Sequence, residues 1–351
     1  MALIFRADHI GSLLRPKKLR EAFRTLKGDA LRAAQDEAVR EVVKLQRDCG
    51  LGVITDGEFR RISYWEEFVR LTRGLEVKEA VFSFHDASGH ESRFTAPYVS
   101  GKVSRSEPIT LDELGFGNTK ITMPAPSTMH FYRFTDWGSA YDYAEAFFKD
   151  LGRVYQAEIA DLARAGCKYV QLDEVAVAIL CDPAAREKVK ARGEDPDRLV
   201  DLYIDAINEA VKGRPTDMTI GVHVCRGNYK GMYLSEGGYD SVAERFFSRT
   251  NVDRFLLEFD TPRAGGFAPL RFVPKDKAVV LGLVSSKSSQ MENLGDLQKK
   301  TQDAARYIDL GRLAISPQCG FASTIGGNPV TEADEKAKLG LCVDAARAIW
   351  G

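Results

Sequence analysis

The chain has 351 residues, a length that fits either one elaborated α/β barrel or two smaller domains. Its 49 basic and 50 acidic side chains give a formal net charge of -1, so no global positive field attracts nucleic acid or an anionic membrane. Hydrophobic residues make up 44% of the chain and charged residues 28%, a composition that excludes intrinsic disorder for its bulk.

The N-terminal segment and the cysteines indicate a cytoplasmic protein. The first apolar run ends at Arg6, which is far too short for a signal peptide, and no later stretch approaches the roughly 18 apolar residues of a membrane helix. The six cysteines are scattered without a CxxC pair. We therefore expect reduced thiols or metal ligands and no disulfide framework.

Short apolar runs alternate with amphipathic stretches, a pattern typical of repeated βα units and a parallel sheet. The predicted strands are Leu3–Ile10, Leu51–Thr55, Lys120–Met123, Tyr169–Leu172, Met218–Val224, Arg254–Phe259, Ala278–Val284 and Arg312–Ile315. The predicted helices are Gly28–Asp48, Ala140–Ala165, Asp197–Lys212, Ser241–Phe247, Asn293–Leu310 and Glu332–Ile349. Eight strands with intervening helices predict an α/β fold of the (β/α)₈ TIM barrel type.

The stretch 74–118 breaks this rhythm, because apolar and polar residues alternate there around Gly89 and Gly101. It predicts an inserted β-hairpin or meander after the second βα unit. The sequence leaves open whether this insertion covers the active site, builds a partner surface, or does both. No repeat or flexible linker divides the chain, so we expect a single domain over residues 1–351.

Potential metal ligands follow three of the predicted strands, at the barrel end where active sites lie. His223 and Cys225 end the fifth strand, and their side chains share one side because they are two residues apart. Glu258 ends the sixth strand and Cys319 follows the eighth. Each of these residues alone could simply be a buried core residue. Together, however, one nitrogen, two sulfur and one oxygen donor suit tetrahedral Zn²⁺ better than Mg²⁺ or Ca²⁺.

Acidic residues follow other strands, among them Glu58 and Asp173. Carboxylates facing a barrel mouth suit a substrate with an ammonium group, and the Gly11–Ser12 turn offers backbone N–H groups to a carboxylate. These features together would recognise an amino acid, although Asp173 could instead cap the following helix. A basic cluster, formed by Arg15, Lys17, Lys18 and Arg20, is interpreted as a solvated helix start.

Seven motifs occur in one order along nearly the whole chain: DHIGSLLRP, ITDGEFRR, QLDE, HVCRGN, LLEFD, GLVSSK and PQCGFAS. In this order they resemble the catalytic half of cobalamin-independent methionine synthase, a zinc enzyme that methylates homocysteine. The resemblance is closer still to the short single-barrel relatives of that superfamily. It implies a TIM barrel, a bound Zn²⁺ and a small thiol substrate.

The resemblance also implies roles for particular residues. The family's zinc ligands fall on the four residues that the strand ends also indicate, namely His223, Cys225, Glu258 and Cys319. The family's homocysteine contacts fall on the backbone of Ile10, Gly11 and Ser12, and on Glu58 and Asp173, which would take the amino group.

The chain departs from the full-length family at three points. Lys287 stands in place of a catalytic His, and a Lys could still donate a proton or balance an anion. His130 and Phe131 stand where an Asn-Trp pair packs against the pterin; a Phe could stack on a flat ring or simply belong to the core. The family's additional N-terminal barrel has no counterpart in this sequence, so the donor stays open between a folate, a methylcorrinoid or its carrier, and a small methylated metabolite.

The hypothesis that follows is S-methylation of homocysteine, with Lys287 and Asp173 as candidate catalytic residues. A bound cation makes a coordinated thiolate dominant at neutral pH, and two cysteine ligands with a carboxylate keep that thiolate nucleophilic. One alternative keeps the zinc and a thiol but uses an epoxide or another alkyl donor. A second alternative is a paralogue that binds a thiol or a pterin without turnover. The oligomeric state is not determined by the sequence.

Overall fold

The computed structural model describes residues 5–86, 88–133 and 140–351. The strands in these ranges are β1 (Thr72–His85), β2 (Glu91–Arg105), β3 (Ile121–Pro124), β4 (Tyr169–Glu174), β5 (Thr219–Val224), β6 (Arg254–Glu258), β7 (Ala278–Val284) and β8 (Leu313–Pro317). The helices are α1 (Lys17–Thr25), α2 (Gly28–Asp48), α3 (Glu66–Arg70), α4 (Ala144–Arg164), α5 (Ala176–Ile179), α6 (Pro183–Lys190), α7 (Pro196–Ala210), α8 (Ala243–Arg249), α9 (Leu294–Ala304) and α10 (Glu332–Trp350).

Strands β3 to β8 form a parallel sheet in sequence order, and two extended N-terminal segments lie at its two edges. Ala7 pairs in parallel with Ile315 of β8. At the opposite edge, the backbone N–H of Lys120 donates to the carbonyl oxygen of Ile54 at 3.1 Å. The backbone N–H of the nearby Leu13 donates to Gly57 and joins the two segments. The prediction of an α/β barrel is therefore confirmed.

The two N-terminal barrel strands need a correction. Neither Leu3–Ile10, of which residues 3 and 4 lie outside the described ranges, nor Leu51–Thr55 is a regular strand in the part of the chain that the structure describes. Side chains occupy the backbone groups that a ladder would use: Gln46 binds both the N–H and the carbonyl of Thr55, and Thr119 accepts from the N–H of Ile54. Side-chain hydrogen bonds of this kind compete with sheet pairing.

Four of the described helices begin where the sequence supplies a side-chain cap. Asp182, Asp195 and Asn293 accept hydrogen bonds from the first turns of α6, α7 and α9, and Thr331 forms a capping box with Asp334 at α10. The predicted helix Gly28–Asp48 is confirmed with its bounds, whereas the predicted Asn293–Leu310 ends at Ala304. Within the described ranges, no helix combines the length and the apolar character needed to cross a membrane.

The predicted insertion is an antiparallel hairpin of β1 and β2, followed by a single turn of 3₁₀-helix at Leu111–Glu113. The hairpin is joined to the barrel by a backbone bridge between His85 and Tyr233. Its Phe84 ring also lies 5.4 Å from the ring of Tyr229. Tyr229 follows β5, so the hairpin packs against the carboxyl ends of the barrel strands.

Candidate metal centre and active site

Four buried side chains meet at the carboxyl ends of three barrel strands. His223 lies on β5 with Cys225 just after it, Glu258 ends β6, and Cys319 follows β8. One ligand atom from each residue lies within 4.8 Å of the others. The alternation of β5 points His223 and Cys225 to one side, and the parallel sheet brings the ends of β6 and β8 to the same mouth.

The geometry of the four donors fits a metal ion. The Cys225 and Cys319 sulfurs are 3.4 Å apart, against roughly 3.8 Å for two thiolates on a tetrahedral Zn²⁺ with ~2.3 Å bonds. The His223 Nδ1 donates to the carbonyl of Leu256 at 3.2 Å. That bond leaves the lone pair on Nε2, which has no hydrogen-bond partner among the described residues. The four donors are therefore buried, close together and supplied with a free imidazole lone pair.

The two thiols of this cluster differ in acidity. The hydrogen bond from Cys225, together with His223, holds the pKa of Cys319 well below its usual value, against the opposing effect of burial. The same hydrogen bond and burial raise the pKa of Cys225 well above its usual value, while the charge of Lys287 opposes that rise. The pair thus shares one proton, which a bound cation would displace.

A cavity of about 780 Å³ opens above the cluster. Seven of the residues that the sequence singles out line it: Ile10, Ser12, Glu58, Asp173, His223, Cys225 and Cys319. Gly11 lies between two lining residues, and its φ of 130° would place a Cβ 2.6 Å from the Thr122 side chain. Only glycine therefore fits this turn.

Two buried carboxylates face the cavity. Glu58 has a φ of 59°, a strained conformation for a residue with a side chain, and its Oε1 accepts from the Thr122 hydroxyl at 2.7 Å. Its Oε2 has no hydrogen-bond partner in the described part of the chain. Asp173 accepts from Gln171 at 2.7 Å. Burial raises the pKa of Asp173 to about 7, with His223 opposing and Glu58 adding to the rise.

Besides Gly11 and the metal-ligand candidate Glu258, three more predicted site residues lie outside this lining. The Lys287 ammonium donates to the Gly227 carbonyl at 2.8 Å and so lies behind a wall residue of the cavity. His130 is fully buried and contacts the Tyr203 hydroxyl at 2.9 Å, and burial lowers its pKa to about 3. Phe131 stacks on Phe82 of the hairpin at 5.0 Å. The structure therefore does not bring these three side chains to the cavity surface.

The sequence alone did not indicate the aromatic part of the cavity. This part is formed by Tyr64, Trp65, Phe84, Phe94, Tyr132 and Tyr229. Phe84 and Phe94 come from the hairpin, so the insertion does cover the site. The interpretation of the basic cluster as a solvated helix start is wrong for Arg15. Its guanidinium is buried and donates to the carbonyls of Glu58 and Ala322. The alternation along β1 and β2 was a signal for a buried hairpin face, but it did not indicate what that face covers.

Comparison with known proteins matches the chain to one protein family. The family model described as cobalamin-independent synthase, catalytic domain, matches residues 9–348. The chain belongs to this family. The family resemblance expected from the motifs is thereby confirmed, and the chain is, at family level, a methyltransferase of the methionine synthase type.

Proteins similar to this chain include one described as uncharacterized and others named as methionine synthases. The uncharacterized protein YxjH of Bacillus subtilis (strain 168) is 38% identical over 99% of this chain and 95% of its own. A methionine synthase of Sulfolobus acidocaldarius is 26% identical over 89% of this chain and 84% of its own. A putative vitamin-B12-independent methionine synthase structure from Listeria monocytogenes has a TM-score of 0.75 and 29% identity, covering 100% of this chain and 99% of its own.

Proposed function

We propose that this member of the cobalamin-independent synthase family is a zinc-dependent S-methyltransferase that converts homocysteine to methionine. The observation that carries the proposal is the cluster of one imidazole, two thiols and one carboxylate at the floor of a cavity that also exposes two buried carboxylates. His223, Cys225, Glu258 and Cys319 would hold the ion. Zinc bound there supplies a cation that favours the thiolate form of a substrate thiol at neutral pH.

The rest of the site orients an amino acid. Glu58 and Asp173 accept hydrogen bonds from the substrate ammonium, and Asp173 does so in its ionised form. The loop of Ile10, Gly11 and Ser12 supplies backbone N–H groups to the substrate carboxylate. Gln171 fixes this loop by donating to the Ile10 carbonyl at 2.6 Å. The ammonium and carboxylate groups are thus held at one end of the substrate, which directs its thiol toward the cluster.

The donor occupies the aromatic part of the cavity, where water is excluded from the reacting methyl group. Its identity stays open between a folate, a methylcorrinoid and a smaller methylated metabolite. Lys287 acts as a positioning residue. Its ammonium donates to the Gly227 carbonyl in the cavity wall and places a positive charge behind that wall. The contacts of His130 and Phe131 do not support a substrate role for them; Phe131 supports the hairpin by stacking on Phe82.

Zinc content and zinc-edge X-ray absorption, measured before and after addition of homocysteine, test this function. We expect one zinc per chain and one additional sulfur ligand when homocysteine binds. Cys319→Ser should lower zinc affinity by at least about tenfold and abolish methyl transfer, because it removes a thiolate ligand. Cys167→Ser is the matched control, since Cys167 is buried outside the cluster, where its thiol donates to the Tyr169 carbonyl.

Cys319→Ser and Cys167→Ser together show whether a lost activity comes from the zinc site or from a general loss of stability. Cys167→Ser should retain zinc and activity. If zinc is present but its ligands do not change with homocysteine, the acceptor is another thiol or the protein is a binding paralogue. Absence of zinc from the purified wild-type protein, and failure to bind added zinc, would refute the proposal.

A further inference from the structure

Two buried cations lie beneath the carboxylates of the site, and each is already paired with another acid. Lys120 donates to Asp8 at 2.9 Å, and neither side chain is exposed to solvent. Arg61 forms a two-pronged bond with Glu113, with both N–O distances at 2.6 Å. Such paired geometry is the strongest form of a charge-assisted hydrogen bond.

Among the described residues, this pairing leaves neither carboxylate of the cavity with a direct hydrogen bond from a cation; Glu58 accepts from Thr122 and Asp173 from Gln171. The Arg61 guanidinium is 3.8 Å from Glu58, well beyond its 2.6 Å bonds to Glu113. Lys120 reaches Asp173 only through a neutral side chain. A buried carboxylate that no cation hydrogen-bonds directly is costly, so Glu58 and Asp173 together favour a cationic ligand.

Each of the two cations is connected to a site carboxylate by one neutral hydrogen-bonding group. On one side, Arg61 donates to the Thr122 hydroxyl at 3.2 Å, and that hydroxyl donates to Glu58 at 2.7 Å. Because a hydroxyl has one proton, the guanidinium fixes the direction in which it points. Glu58 therefore receives a hydrogen bond of defined direction.

On the other side, Lys120 donates to the Gln171 Oε1 at 2.9 Å. A lysine ammonium can only donate, so this contact places the Gln171 oxygen toward Lys120 and its Nε2 toward Asp173. That Nε2 donates to Asp173 at 2.7 Å and also to the Ile10 carbonyl. Thr122 on β3 and Gln171 on β4 are neighbours in the sheet register.

We propose that Thr122 and Gln171 form a positioning pair that orients Glu58 and Asp173 and so sets the preference of the site for a thiol that carries an ammonium group. This inference rests on the proposed function. A neutral hydrogen bond fixes a carboxylate without cancelling its charge, whereas a direct ion pair would leave less negative charge for the ligand. Gln171 also connects the Ile10 loop to this hydrogen-bond network, since its Nε2 donates to the Ile10 carbonyl as well as to Asp173.

Calorimetric binding to the zinc-loaded protein tests the pair. Homocysteine is compared with 4-mercaptobutanoate, which keeps the thiol, the carboxylate and the chain length but lacks the ammonium group. Thr122→Val should reduce the preference for homocysteine about tenfold, with 4-mercaptobutanoate affinity little changed. Gln171→Met should reduce the preference by a similar factor and also weaken the binding of both thiols, because Gln171 holds the Ile10 loop that binds their carboxylate. Thr122→Ser should restore the preference, because serine keeps the hydroxyl.

Matched controls separate positioning from loss of stability. Thr301→Val removes a buried hydroxyl that donates to Leu297 within α9, and Gln46→Met removes a buried amide that bonds Thr55. Both controls lower stability, but they should keep the ratio of the two affinities, because neither residue contacts Glu58 or Asp173. Zinc content and melting temperature are recorded for every variant.

The outcomes distinguish the two levels of the proposal. A wild-type protein that prefers homocysteine, with variants that keep this preference, would overturn the positioning pair and leave the proposed function intact. A wild-type protein that binds both thiols equally, or neither, would overturn both the homocysteine assignment and the pair that depends on it.

Discussion

Backbone strain marks two residues with side chains in the described ranges, Glu58 and Lys230, whose φ values are 59° and 52°. Glu58 is buried at the site, where the strain is compensated by the bonds that position its carboxylate. Lys230 is exposed in a two-residue turn between Tyr229 and Met232, whose backbones hydrogen-bond to each other in both directions. Gly231 follows with a φ of 83°, so the turn has the positive angles of type I′, which favours asparagine at the position of Lys230.

Lys230→Asn should therefore stabilise the protein by about 0.5–1 kcal/mol, because asparagine tolerates the left-handed conformation better than lysine. Chemical denaturation measures the change. Lys230→Ala is the control, since it removes the same side chain without supplying this conformational preference. Equal stability of the Asn and Ala variants would contradict the explanation.

At the scale of elements, the hairpin depends on a close approach between its strands. Gly74 of β1 has a φ of 80°, and a Cβ there would lie 2.5 Å from the Lys102 carbonyl oxygen of β2. The register of the two strands also shifts between Arg73 and Leu75. A glycine at an irregularity of this kind lets one strand bend, and here the bend lies at the base of the hairpin that covers the cavity.

Gly74→Ala should cost about 2 kcal/mol or more, because it adds a backbone clash to the strain of a positive φ. Gly89→Ala is the matched control, since Gly89 has the same φ of 80° in the same hairpin but open space around its Cβ. Its cost should stay near 1 kcal/mol. Comparable losses for the two variants, measured by thermal and chemical unfolding, would show that the strand contact is unimportant.

At the scale of the whole molecule, the two ends of the chain are joined by buried polar contacts. Glu335 of α10 accepts a hydrogen bond from the backbone N–H of Leu14 at 2.8 Å. Burial raises the pKa of Glu335 to about 8, from an ordinary value near 4.5. Between these values the unfolded chain has released this proton while the folded chain retains it. Stability therefore falls as the pH rises from about 5 to 8.

Glu335→Gln should remove this dependence, because an amide oxygen can still accept from Leu14 and carries no proton to release. The variant should gain stability over the wild type as the pH rises, by on the order of 1 kcal/mol per pH unit between pH 5 and 8. Denaturation at several pH values measures the difference. Glu332→Gln, at an exposed position in the same helical turn, should change the trend far less, because the charge of Glu332 only adds to the effect of burial on the pKa of Glu335. A difference that does not change with pH would refute the prediction.

Local sequence pattern was sufficient for the parts of the protein that depend on short-range periodicity. The alternation of side chains along β5 placed His223 and Cys225 on one side, and the order of strands placed Glu258 and Cys319 at the same mouth. The insertion was visible because its period of two interrupts the helical pattern. That residues 1–351 form a single domain stays a prediction.

Tertiary structure decided which groups bond across the barrel. The segment before Asp56 has the composition of a strand, yet the Gln46 side chain takes the backbone groups of Thr55. Lys287 follows β7 as the sequence indicates, but its bond to Gly227 keeps it behind the cavity wall. The composition gives 49 basic and 50 acidic side chains but does not show which of them form pairs. Only the folded chain assigns Lys120 to Asp8 and Arg61 to Glu113, because these partners are far apart in sequence and meet through the closure of the barrel.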